Sequence, residues 1–255
     1  MSARLEDQGD RLIIWNGNAA KRGALSPELY EVIAQAFELA QEPRVRAVVL
    51  TSDGDFFCAG GDLKVLIERR KLTIDQRREK VDGLHDLVRL IRSSPVPVVA
   101  AVEGGAAGAG LSLMMACDLI VASETAKFTA AYVKAGLVPD GGLTASLART
   151  LPRALAMEMC LLARPVMAER FAALGAVTQV TAPNETFAAA MKLVDILAAG
   201  PPVAQGVIRR LVSDAYETTE ATQLDGEREA MILAQGGGEA GEGIAAFLEK
   251  RKAKF

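Results

Sequence analysis

Apolar residues along the chain follow two alternating rhythms. Arg11-Leu-Ile-Ile-Trp15, Val45 to Thr51, Val98-Val-Ala-Ala-Val102 and Asp118 to Ser123 are short runs. They read as strands, the later three apolar enough to be buried on both faces. Between them apolar residues recur at helical spacing. Leu29, Ile33, Phe37 and Ala40 share one face, and Val81, Leu84, Val88 and Ile91 another. Ser26-Pro27 starts the first of these helices, because Ser caps well and Pro is tolerated at the first helical position. Thr73-Ile-Asp-Gln76 is a capping-box pattern that opens the second, and Pro95 and Pro97 end it. Strand and helix therefore alternate, which predicts an α/β fold with parallel strands and right-handed crossovers.

From Gly142 onward the pattern turns mostly helical, with segments at 185–199, 203–213, 219–235 and 239–250 and one short strand near Ala176 to Val180. Pro201-Pro202 and Gly236-Gly237-Gly238 punctuate them.

Two glycine-rich turns interrupt the first half: Asp53 to Gly61 ahead of a helix from Asp62, and Glu103 to Gly110 ahead of a helix from Leu111 to Cys117. Each links a buried strand to a helix start. The first helical N–H groups have no internal partner, and the helix dipole adds positive potential there. Two such turns facing one pocket would offer two N–H donors to one carbonyl oxygen. A single turn of this kind is by itself a packing device. A dinucleotide fingerprint fits poorly, because Gly108-Ala-Gly110-Leu-Ser-Leu113 lacks its third glycine, and no phosphate loop is present.

Composition narrows the function classes. The chain has 255 residues, half of them hydrophobic but only 5% aromatic, so Ala, Leu, Val and Gly fill the core. That length suits one large domain, or one domain with a helical appendix. A net charge of -3 gives no basic footprint for nucleic acid. The basic tail Lys250-Arg251-Lys252-Ala253-Lys254 reads as a solvated helix end. Cys58, Cys117 and Cys160 are isolated and lack metal-ligand spacing, so a reducing compartment and no metal are expected. The polar start Met1-Ser-Ala-Arg-Leu-Glu-Asp is no signal peptide, and no apolar stretch is long enough to span a bilayer. A cytoplasmic protein without membrane or nucleic-acid partners is expected.

The motifs together resemble the enoyl-CoA hydratase/isomerase (crotonase) superfamily. The resemblance rests on Arg46-Ala-Val-Val-Leu50, Phe57-Cys-Ala-Gly-Gly-Asp-Leu63, the run from Pro97 to Ser123, and Gly136-Leu-Val-Pro-Asp-Gly-Gly142. Ala156-Met-Glu158 through Arg164-Pro165 and Ala176-Val177 continue it. It implies a spiral of ββα turns over residues 1–198 that binds acyl-CoA. It also implies a helical region, 199–255, that builds a homotrimer or a dimer of trimers. Coenzyme A would enter as part of the substrate, with no separate cofactor. The thioester oxygen would sit between the N–H groups of Gly61 and Ala109, flanked by Ala59, Gly60, Asp62, Leu63 and Gly108. The CoA nucleotide would lie against Lys21, Arg22 and Ala24, although Gly23 stands where the family often has Asn.

The chain departs from the family at the acid/base pair. Hydratases of the family carry two glutamates, and the matching positions here are Ser112 and Tyr132, which could contact substrate instead. Asp140 falls where other members carry a catalytic aspartate, among them ring-modifying isomerases of phenylacetate breakdown. The Asp140 turn and the stretch Glu242 to Arg251 also look like proteins of the oxepin-CoA hydrolase type. Read without the family, Asp140 is more often a turn residue that bonds its own backbone than a catalytic carboxylate. Ser112 is not in a nucleophile elbow. His85 reads as a surface or satisfied histidine, although a Ser112–His85 hydrolase would need it in the cleft. Asp62 is explained by its place at a helix start. The expected activity is proton transfer on an unsaturated acyl-CoA, isomerisation before hydration. A non-catalytic acyl-CoA-binding paralogue and a thioester or ring-opening hydrolase are the alternatives.

Overall fold

The structure, a computed structural model, describes residues 3–255. Met1 and Ser2, where the polar N-terminal reading begins, lie outside the described residues. Five parallel strands form the main sheet: β2 (Arg11–Asn16), β3 (Ala47–Ser52), β4 (Val98–Val102), β6 (Leu119–Ser123) and β9 (Gln179–Thr181), adjacent in that order. A strand absent from the sequence pattern, β1 (Arg4–Asp7), pairs antiparallel with β2 at the edge. Only Leu5 of it packs against the core; its other three residues are polar, as an edge strand allows. A second sheet joins three very short strands, β5 (Gly105–Ala107), β7 (Lys127–Thr129) and β8 (Val166–Met167).

The strands are apolar on both sides because both sheet faces are covered. Leu12, Ile14, Val48, Leu50, Val98 and Ala100 point into the larger core. There they meet α1 (Pro27–Leu39) through Leu29 and Ile33 and α3 (Ile74–Arg92) through Leu84, Val88 and Ile91. Alternate residues Ile13, Val49, Val99, Ala101 and Val121 point the other way, onto Ala189, Ala190 and Val194 of α8 (Thr186–Ala198). Each fully buried Val or Leu contributes about 1.5–3 kcal/mol. Among the described residues the apolar cover of this second face comes from α8, while the first is shared among several helices.

Local signals behave as the sequence predicts at the helix starts. Ser26 Oγ accepts from Leu29 N at 3.3 Å. Both bonds of the capping box at Thr73 and Gln76 are present. Three readings need correction. Val81 is exposed, because the first half of α3 extends past the core and Leu84 is its first buried residue. The helix after the second glycine turn is α4 (Ala109–Met114), which starts two residues earlier than predicted. The late strand is Gln179–Thr181, while Ala176 and Val177 are buried just before it. Cys58 and Cys117 are buried free thiols and Cys160 is half-buried. Burial pushes the Cys58 thiol up to about 12.

The remaining helices are α2 (Leu63–Arg69), α5 (Leu143–Thr150), α6 (Arg153–Leu162), α7 (Ala168–Ala173), α9 (Pro202–Asp214), α10 (Glu220–Gln235) and α11 (Gly238–Leu248). Among the described residues no single helix is long and apolar enough to cross a membrane. The last three helices are joined to the core by polar contacts. Arg209 on α9 is buried, with only 7% of its side chain exposed. It donates to the carbonyls of Ile91, Arg92 and Ser94, which end α3, and pairs with Asp118. Glu239 on α11 caps the start of α9, accepting from Val203 N at 2.8 Å and Ala204 N at 2.9 Å. The outer faces of α10 and α11 leave Met231, Ile232, Leu233, Ile244, Phe247 and Leu248 exposed, Phe247 by 83%.

Candidate active site

The two glycine-rich turns lie side by side. Cys58 bridges to Ala106, Ala107 N donates to Cys58 O at 2.9 Å, and Phe57 N donates to Gly105 O at 3.2 Å. Gly60 marks the point of contact. A methyl group there would lie 2.7 Å from Ala107 O and 2.9 Å from Ala109 N, and its φ of +85° favours glycine independently. The chain ends of both turns, Gly61 and Ala109, are thereby neighbours. Ala109 opens α4, so its N–H has no intrahelical acceptor. Among the described residues neither Gly61 N nor Ala109 N donates to a backbone carbonyl in the turns and caps.

The loop after β2 covers the first turn. Ala59 N donates to Arg22 O at 2.9 Å and Leu25 N to Gly60 O at 2.8 Å. Lys21 Nζ lies 2.6 Å from Asp62 Oδ2. Asp62 Oδ1 accepts from Lys64 N at 2.9 Å and so caps α2. Lys21 first, and the Lys64 N–H after it, hold the Asp62 carboxyl below its ordinary value. The Arg22 guanidinium lies 4.0 Å over the Phe56 ring. Lys21, Arg22 and Leu63 are exposed and Ala24 is buried. The predicted nucleotide-side residues therefore form one rim along the first turn.

Ser112, Tyr132 and Asp140 come together on the other side of Gly108. Ser112 is fully buried on α4. Tyr132 sits in a single helical turn, Ala131–Ala135, and Asp140 in the loop before α5. Tyr132 OH donates to Asp140 Oδ1 at 2.8 Å. Ser112 Oγ donates to the Asp140 carbonyl at 2.9 Å and lies 3.1 Å from Tyr132 OH. Burial, and after it the Asp140 charge, push the Tyr132 phenol far above its ordinary value, so it stays protonated. The Tyr132 ring reaches Gly108, where an added methyl would lie 4.0 Å from Cε2. The serine's partners are Tyr132 and Asp140, so His85, half-buried on α3, makes no pair with it.

Two neighbours of this cluster are not among the expected site residues. Gly141 adopts φ +59°, and a methyl on it would lie 2.8 Å from Ser112 Cβ. The Asp140 turn is therefore seated directly on α4. Tyr30, on α1, is half-buried; desolvation raises its phenol, Arg69 opposes this, and the Asp140 charge adds to it. The Asp-Gly-Gly run hints at the first, whereas Tyr30 looks like one more residue of an amphipathic helix. Among the described residues no group of three or more His, Cys, Asp and Glu side chains converges as a metal would require.

The sequence profile of the family described as "Enoyl-CoA hydratase/isomerase" matches residues 17–255. A 1,2-epoxyphenylacetyl-CoA isomerase of Escherichia coli is 35% identical over 91% of this chain and 89% of its own length. An enoyl-CoA hydratase of Mycobacterium tuberculosis is 31% identical over 99% of this chain and 96% of its own. Among solved structures, an enoyl-CoA hydratase from Polaromonas superposes with a TM-score of 0.96 at 39% identity. That match covers 99% of this chain and 98% of the other.

Proposed function

The chain belongs to the enoyl-CoA hydratase/isomerase family, and from that premise we propose that it moves a double bond within an unsaturated acyl-CoA. In this reading the Gly61 and Ala109 N–H groups hold the thioester oxygen as an enolate forms, and Asp140 carries the proton. Coenzyme A is part of the substrate, lying along Lys21, Arg22 and Ala24. The observation that carries the reading is the cluster of one carboxylate and two hydroxyls at Asp140, Tyr132 and Ser112. Hydration must both activate water and protonate carbon, which two carboxylates do well. One carboxylate between two hydroxyls that stay protonated suits transfer of a single proton from one carbon to another. A relative named as an isomerase of a CoA thioester supports the same class. The hydrolase alternative loses its candidate serine, whose hydroxyl is engaged with Asp140 and Tyr132 rather than a histidine.

The test compares two reactions. The protein should convert a β,γ-unsaturated acyl-CoA such as β,γ-hexenoyl-CoA to its α,β isomer. It should hydrate crotonyl-CoA slower by at least about a hundredfold, the lower range for lacking one positioned acid or base. Hydration that outpaces isomerisation would refute the proposal, and absence of both activities would favour the non-catalytic alternative.

The same reading takes 199–255 as the assembly region. Its support is the exposed apolar set on α10 and α11, which a lone chain would leave in water. Light scattering at micromolar concentration is expected to give three or six chains per particle; a monomer mass contradicts it.

A further inference from the structure

Counting protons around Asp140 exposes a division of labour. Ser112 has one hydroxyl proton and donates it to the Asp140 carbonyl. Tyr132 has one and donates it to Asp140 Oδ1. The two hydroxyls that stand in the place of two carboxylates thus spend both their protons on one residue, one on its backbone and one on its side chain. Among the described residues no group donates to Asp140 Oδ2. The arrangement also survives a change of charge. When Oδ2 takes a proton, Oδ1 becomes the carbonyl oxygen of the acid and still accepts from Tyr132. Nothing need turn between the two states.

The same tyrosine spans the site. Its ring lies against Gly108, the residue before Ala109, and its hydroxyl lies on Asp140. Ser112 belongs to the helix that Ala109 opens, and it meets Asp140 and Gly141 across a close contact.

We propose that Tyr132 and Ser112 are positioning residues: they hold Asp140 at a set distance from the Ala109 N–H, with Oδ2 as its one free oxygen, and do not themselves exchange protons with substrate. This rests on the proposed role of Asp140 and assigns the two hydroxyls a task different from substrate contact.

A double-mutant cycle decides it, because two residues that act through one another are not additive. Tyr132→Phe keeps the ring and removes only the hydroxyl; Ser112→Ala is the second, independent variant. Each is measured for turnover of β,γ-hexenoyl-CoA and for affinity toward hexanoyl-CoA, which cannot isomerise. Tyr132→Phe is expected to lower kcat by roughly ten- to a hundredfold, the scale for displacing a reacting group by about 1 Å. Affinity for hexanoyl-CoA should stay unchanged. Ser112→Ala should lower kcat in the same manner. In an Asp140→Asn background neither change should lower the residual rate further. The proposal is overturned if Tyr132→Phe turns over like the parent. It is also overturned if the variant loses affinity instead of kcat, or loses the same factor in both backgrounds, as a residue exchanging its own proton would. If Asp140→Asn itself keeps full turnover, the role of Asp140 has failed and the proposal falls with it. That result is distinct from a silent Tyr132→Phe in an enzyme that still needs Asp140.

Discussion

Asp140→Asn is expected to fold as the parent does and to lose about a hundred- to ten-thousandfold in isomerase turnover, the range for removing a positioned general acid or base. The substitution keeps the size of the side chain and an oxygen that can accept from Tyr132, so the 2.8 Å bond has a successor. What disappears is the capacity to take a proton from one carbon and return it to another. Affinity for a saturated acyl-CoA should change little, since the N–H donors and the rim at Lys21 are untouched. Exchange of solvent deuterium into the carbons flanking the double bond should fall with turnover. An Asp140→Asn enzyme with undiminished rate would remove this carboxylate from the chemistry.

The second large effect is expected at Ala109. As the first residue of α4 it occupies the one helical position where proline is tolerated, because the N–H lost there bonds nothing within the helix. Ala109→Pro therefore removes the donor and puts a ring carbon in its place, while α4 keeps its own hydrogen bonds. Removing one such donor has cost about a hundred- to a thousandfold in turnover where it has been measured. Ala109→Gly, which keeps the N–H, is the control and should retain most of the rate. Equal rates for the proline variant and the parent, with both folded, would show that the thioester oxygen is held elsewhere.

Much of the architecture is legible in the sequence because it rests on local rules. Val98 to Val102 announces a strand covered on both faces, and the structure covers one with α8 and the other with α1 and α3. The Thr73 capping box and the Ser26-Pro27 start are complete signals within four residues. The strands that escape are short and lack an apolar run, the polar edge strand β1 and the three-residue β5 and β7 among them. Gly105-Ala-Ala107 has the composition of a turn and becomes β5 only because Lys127 to Thr129 runs beside it. The early start of α4 has a similar cause: Gly108 turns with φ +53°, so the helix begins where two loops meet rather than where the leucines begin. At the site, the residue types are legible but their connections are not. The family resemblance gives Ser112 and Tyr132 as hydroxyls where hydratases of the family have carboxylates. It does not reveal that both turn toward Asp140, which lies 28 residues from one and 8 from the other.

The Arg209 contact has a consequence for the order in which the molecule is completed during synthesis. The ribosome delivers α3, β4 and Asp118 well before α9, since Arg209 follows Asp118 by 91 residues. Throughout that interval the carbonyls of Arg92 and Ser94 lack the guanidinium that later donates to them. Asp118 likewise precedes its cation; in the folded chain desolvation raises its carboxyl and Arg209 opposes this. A chain that stops before residue 209 has the residues of both glycine turns and of the Asp140 cluster but lacks the side chain that ties α9 to the end of α3. Arg209 thus closes on a carboxylate 91 residues before it and on a helix end 117 residues before it.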